Sequence, residues 1–121
     1  MDKFEPIGFH VFGDFSKCEN VELLEDENYT RELLETAAIL SNATPLEFSF
    51  HKFSPTGITA TLILSESHIS IHTYPEYGDV FLDIFTCGEH TDPEAGVFYI
   101  GEKLNPINKK IKKVIRNANN Y

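Results

Sequence analysis

The chemistry-bearing residues of this chain gather in Ser65-Glu-Ser-His-Ile-Ser-Ile-His-Thr-Tyr74 and, a short way on, in Asp83-Ile-Phe-Thr-Cys-Gly88. Ser67 places a hydroxyl beside the carbonyl of Glu66. In a strained turn such a hydroxyl can attack its own preceding carbonyl and move the Glu66 acyl group from nitrogen to oxygen. His68 and His72 are candidate bases. A thiol such as Cys87 is a workable acid near neutral pH when its neighbours adjust it. Histidines with cysteines also raise zinc, but Cys18 and Cys87 are not at finger spacing and no third ligand pairs with them. His10, His51 and His90 read as satisfied polar residues, and Cys18 as structural or surface.

The elements that must hold these groups read as strands. His68 to Tyr74 alternates strictly, with His68, Ser70, His72 and Tyr74 toward one face and Ile69, Ile71 and Thr73 toward the other. Both histidines therefore share a face, and geometry leaves the choice between them open. Gly8 to Phe15 reads as a first strand, with Phe9, Val11 and Phe15 on one face. Asn28 or Thr30 caps a helix to about Asn42, stopped by Pro45; Leu33, Leu34, Ala37, Ala38 and Leu40 fall at helical spacing. Leu46 to Phe53, Ile58 to Ser65 and Val80 to Cys87 read as further strands, with turns at Gly57 and at Pro75 to Gly78. Asp92-Pro93 opens a second helix to about Leu104. In the tail, Ile107, Ile111, Val114 and Ile115 have helical spacing. The order of elements gives an α+β fold, a two-layer sandwich of an antiparallel sheet with helices on one face.

The 121 residues make one domain, with 41% hydrophobic residues as in a globular protein. No apolar run is long enough to span a bilayer, the Met-Asp-Lys-Phe-Glu-Pro start has no apolar signal core, and two unlike cysteines suit a reducing compartment. The expected location is the cytoplasm. A net charge of −9 argues against nucleic acid as a partner. Six of the ten basic residues are Lys103, Lys109, Lys110, Lys112, Lys113 and Arg116, which read as a solvated face of the last element; docking on an acidic partner subunit is the functional alternative.

The segment from Leu64 to Gly78, with Asp83 to Gly88, Gly8-Phe-His10 and Phe50-His-Lys-Phe53, resembles the short bacterial and archaeal type of pyruvoyl-dependent S-adenosylmethionine decarboxylase nearly end to end. The resemblance implies self-cleavage between Glu66 and Ser67 into chains 1–66 and 67–121. Elimination from the ester and hydrolysis then leave a pyruvoyl group, generated from Ser67, on the new N-terminus. That ketone forms a Schiff base with the substrate amine and accepts the electrons released with carbon dioxide. By the same resemblance Cys87 is the proton donor, His72 the processing base, and Thr59 a processing support where the family usually has serine. Phe53 and Tyr74 would stack on the adenine beside the sulfonium, and Glu76 would accept from the ribose hydroxyls. Tyr74 stands where tryptophan is common, and Phe9 where a basic residue is usual. The resemblance also favours a final strand around Lys110 to Arg116 over the helix that periodicity gives.

Thr59 and Ser67 are eight residues apart, about 26 Å if the chain between them is extended. A two-fold dimer can bring them together, with Thr59 and His72 from one protomer and Ser67 and Cys87 from the other. The expected product is decarboxylated S-adenosylmethionine for spermidine synthesis. Ornithine or arginine decarboxylation on the same fold, and a non-catalytic regulatory homologue, are the alternatives. Glu76 favours a nucleoside substrate, and intact Ser67, His72 and Cys87 disfavour a regulator.

Overall fold

Alternating apolar residues make the sheet. The computed structural model describes residues 7–118. Six strands, β1 (Ile7–Cys18), β2 (Pro45–Lys52), β3 (Ile58–Leu64), β4 (Ser67–Tyr74), β5 (Asp79–Cys87) and β6 (Pro106–Asn117), form one sheet in the order β2-β3-β4-β5-β1-β6. Every neighbouring pair runs antiparallel. Val11 and Phe15 of β1, Ile58, Ala60, Leu62 and Leu64 of β3, Ile69 and Ile71 of β4, and Val80, Leu82 and Ile84 of β5 are buried. They face two helices, α1 (Glu27–Leu40) and α2 (Pro93–Leu104), whose Leu33, Leu34, Ala37, Ala38, Val97, Ile100 and Leu104 complete one core. The fold is α+β, as the order of elements requires. The other face of the sheet stays open and carries half-buried polar and aromatic side chains.

The two helices cross tightly at Gly96, where a Cβ would lie 2.7 Å from Ile84 Cδ1 and 2.9 Å from the Ala37 carbonyl oxygen. That contact seats α2 on β5, whose far end carries Cys87.

Some boundaries differ from the sequence reading. A short 3₁₀ turn at Val21–Glu25 precedes α1. The cap is Asp26, whose carboxylate accepts from the Tyr29 N–H at 3.1 Å, and not Asn28 or Thr30. Thr30 is buried and donates its hydroxyl to the Leu24 carbonyl at 2.8 Å. The helix ends at Ser41 and a left-handed Asn42, φ 58°, before Pro45 can act, and Pro45 instead opens β2. The tail is strand, pairing with β1 from Ile7↔Asn117 to Cys18↔Pro106. Its helical spacing misleads because Ile107, Val114 and Ile115 are exposed, 75%, 43% and 62%, so no helical stripe is buried there. Pairing with β1 overrides the local pattern.

Candidate active site

Glu66 and Ser67 lie at the tight turn between β3 and β4, with Leu64 opposite Ser67. Ser67 has φ 153°, a region that L side chains rarely adopt. The strain falls at Ser67, directly beside the peptide bond where a cut is expected. The Glu66 carbonyl accepts from the Cys87 N–H at 2.9 Å. A donor there polarises the carbonyl and is placed to stabilise negative charge on its oxygen during attack. Ser67 Oγ and Cys87 Sγ are 3.8 Å apart. Register explains the meeting: Ser67 pairs with Thr86, one residue short of Cys87 at the end of β5.

The turn is clamped from outside. The Glu66 carboxylate accepts from the Thr44 N–H at 2.9 Å and lies 3.4 Å from His90 Nε2. Ser65 N–H donates to the Thr44 carbonyl at 3.0 Å. Beyond Cys87, Thr91 bridges the buried Thr86 hydroxyl, at 2.9 Å, and the Gly88 carbonyl, at 2.7 Å.

A second group of side chains lies at the other end of β4. Thr59 pairs with His72 across β3 and β4, and Thr59 Oγ1 is 3.1 Å from His72 Nδ1. Both border a pocket of about 320 Å³ that Phe53, Tyr74 and Glu76 also line. The loop that forms its wall is pinned by Glu25, whose carboxylate accepts from Thr56 Oγ1 and the Gly57 N–H, each at 3.2 Å. Gly57, φ 101°, lets the chain turn there, and a Cβ would sit 3.2 Å from the Thr73 carbonyl oxygen. Phe53 and Tyr74 are 48% and 46% exposed, so they are available to a ligand and not spent in the core. A larger hollow of about 380 Å³ between α2 and β6 holds none of these side chains.

The two groups do not meet within one chain. Ser67 and His72 are five residues apart on one straight strand, about 17 Å. The 26 Å expected for Thr59 and Ser67 is corrected, because the chain between them folds back at Ser65-Glu66 and sets Thr59 opposite His72. The separation shrinks but stays beyond contact.

His68 and His72 do share a face, but with different partners: His68 Nε2 lies 3.2 Å from Asp83 Oδ2. His10 reaches the same carboxylate at 2.9 Å. Burial alone would raise the Asp83 pKa; hydrogen bonds from His68, Ser70 and His10, with the charge of His68, outweigh it and hold the carboxyl well below the usual carboxylate range. Cys18 is buried, and burial, with the charge of Asp79, pushes its thiol up to about 11, which makes it a poor nucleophile. Asp83, the Cys87 N–H and the Thr44 and His90 contacts to Glu66 went unnoticed in the sequence. Only the Asp83-Ile-Phe-Thr-Cys run hinted at the first, by strand alternation with Cys87. Among the described residues no cluster of ligands could hold a metal ion, and no helix is long and apolar enough to cross a membrane.

Residues 9–117 match the family model described as S-adenosylmethionine decarboxylase. The chain is 39% identical over 110 residues to an S-adenosylmethionine decarboxylase proenzyme of Clostridium tetani, covering 91% of this chain and 86% of that one. It is 42% identical over 101 residues to a proenzyme of the same name from Pyrobaculum islandicum, covering 83% and 80%. The fold superposes on the crystal structure of the adenosylmethionine decarboxylase from Aquifex aeolicus with a TM-score of 0.80 at 31% identity, over 94% of this chain and 93% of that one. A sheet that strains the backbone at one acid-serine junction beside a thiol thus sits in a sequence matched along nearly its whole length, and the chain belongs to the S-adenosylmethionine decarboxylase family.

Proposed function

We propose that this chain is a self-processing proenzyme that becomes a pyruvoyl-dependent decarboxylase of S-adenosylmethionine, with each site shared between two protomers. The activity is that of the family to which the chain belongs. The observation that carries the processing reading is the Glu66–Ser67 turn, strained at Ser67 with its carbonyl held by the Cys87 N–H.

Ser67 Oγ attacks the Glu66 carbonyl carbon, the C–N bond breaks, and the proton passes to the Ser67 nitrogen, which leaves an ester. The Cys87 N–H holds the oxygen that carries charge in between. A base removes the Ser67 α-proton, the C–O bond breaks, and Glu66 departs as a carboxylate. The dehydroalanine left behind tautomerises, takes up water and releases ammonia, so a ketone stands on residue 67. His72 is the base and Thr59 orients it through the 3.1 Å contact. Because His72 lies about 17 Å from Ser67 along β4, it serves the Ser67 of the other protomer. The open face of the sheet, with Tyr74, Phe81 and Val114 exposed at 46%, 44% and 43%, supports a second copy as the cover.

The turn fits the group it would make, because Cys87 already stands beside residue 67. When present, the pyruvoyl carbonyl supplies the sink for the electrons released with carbon dioxide. Cys87 Sγ delivers a proton to the carbon that carried the carboxylate. Phe53 and Tyr74 stack on adenine and face the sulfonium, and Glu76 accepts from the ribose hydroxyls.

Intact mass spectrometry tests the whole reading. Fragments 1–66 and 67–121 are expected, and borohydride with S-adenosylmethionine should add substrate mass to 67–121 alone. Addition with ornithine or arginine instead would reassign the substrate, and an uncut, inactive chain would overturn the enzyme reading.

A further inference from the structure

We propose that Asp83 is a positioning residue for self-cleavage: by gripping the His68 imidazole across β4 and β5, it holds residue 67 in the backbone conformation from which the cut is made. The inference rests on the self-processing reading of Ser67. Asp83 stands on the open face of the sheet, and its carboxylate is the centre of a network over four strands. Oδ2 accepts from His10 Nε2 at 2.9 Å and from His68 Nε2 at 3.2 Å, and Oδ1 accepts from the Ser70 hydroxyl. With Nε2–H turned to Asp83, His10 is left to accept at Nδ1 from Arg116 Nη1 at 3.5 Å. The Phe85 ring packs against His10 and His68, with centroids 5.5 and 5.9 Å away, and the Arg116 guanidinium lies 5.0 Å from its centroid.

A strained φ persists only where the structure fixes both of its flanks. On the N-terminal side Glu66 is held by its carbonyl, through Cys87, and by its carboxylate, through Thr44. On the C-terminal side the backbone of β4 is paired with both β3 and β5 from Ser67 onward, and the side-chain anchor nearest to residue 67 is His68 on Asp83. Residue 67 is the single link between these two pinned neighbours. Without the grip on His68 the backbone ladder alone holds residue 67, which then samples negative φ more often and the cutting conformation less. The depressed pKa of Asp83 keeps the carboxylate an acceptor across the neutral pH range.

Chains made by cell-free translation and followed on denaturing gels give the rate of cleavage directly. Asp83→Ala and His68→Ala should each slow it about tenfold, and Asp83→Asn, which keeps one acceptor oxygen, should fall between. The double variant Asp83→Ala/His68→Ala should be no slower than the slower single, because both remove one grip. The melting temperatures of the same variants on an uncleavable Ser67→Ala background should not track the rates. Should Asp83→Ala fail to fold, Asp83→Asn against His68→Ala carries the test. Wild-type rates in the single variants, or slow-downs that multiply in the double, overturn the proposal. A wild-type chain that never cuts removes the self-processing reading itself, and this inference with it.

Discussion

The two ends of β4 are built for different work. At the Ser67 end the backbone is strained, the Ser65 N–H and the Glu66 carbonyl and carboxylate are hydrogen-bonded, and Ser67 Oγ and Cys87 Sγ sit 3.8 Å apart. At the His72 end the walls are loop and aromatic side chains, half exposed, around a pocket of about 320 Å³. In the proposed function the first end is the rigid one, where bonds break, and the second is the open one, where a ligand is received. A straight strand separates them, so under the proposed function a working site takes the first end of one chain and the second end of another. Such an arrangement would spare a single small protomer from housing strain and a binding cavity in the same place.

The harshest way to break the comparison is to remove the hydroxyl at the rigid end. Ser67→Ala should stay whole, a single band at 13.7 kDa, with no decarboxylation at all, and a denaturing gel with a carbon dioxide assay checks both. Next comes Cys87→Ala, which should still cut but lose on the order of 10² to 10⁴ in turnover, because the reaction lacks its acid. Wild-type turnover in that variant would move the proton-donor role elsewhere, with His72 the next candidate.

Mixing the two ends sharpens the comparison. Co-expression of His72→Ala with Cys87→Ala creates heterodimers in which one site carries both defects and the other neither. About half of a random mixture is heterodimer, so activity should return to roughly a quarter of wild type. Activity no higher than the sum of the parents, or a monomer in solution, would refute the shared site and leave the chemistry at Ser67 standing. The mildest change is at the open end. Glu76→Ala removes hydrogen bonds to a charged acceptor and should raise KM about tenfold with a smaller change in kcat, and the chain should still cut on schedule. Slower cutting in Glu76→Ala would mean that the two ends are not separate in function.

The fold was legible where one face of a strand is buried. Ile69, Ile71 and Thr73 are buried and His68, Ser70 and His72 are half-exposed, so alternation alone oriented β4. It failed at β6, where both faces are largely exposed and the apolar residues carry no face. Capping failed at α1 because Asp26, Asn28 and Thr30 are all good capping residues, and only the path of the preceding 3₁₀ turn decides among them. The motif singled out Ser67, His72 and Cys87, and register was needed to see which of them lie together. Asp83 was illegible for the same reason: its partners, His10 and His68, come from two other strands. The span from Thr59 to Ser67 is shorter than an extended chain gives, because the residues between them enter a hairpin.

The order of strands also decides what happens after a cut at residue 66. The first piece supplies β1, β2 and β3, the second β4, β5 and β6, and β1 lies between β5 and β6. The pieces are therefore woven, with β3 on β4 at one seam and β1 flanked on both sides at the other. Cleavage cannot release either of them while the sheet stands. It does change the meaning of unfolding. Before the cut each protomer refolds as one chain, and after it two different pieces must find each other, which adds a concentration dependence to the melting point. A chain that matures by this cut would surrender the ability to refold alone.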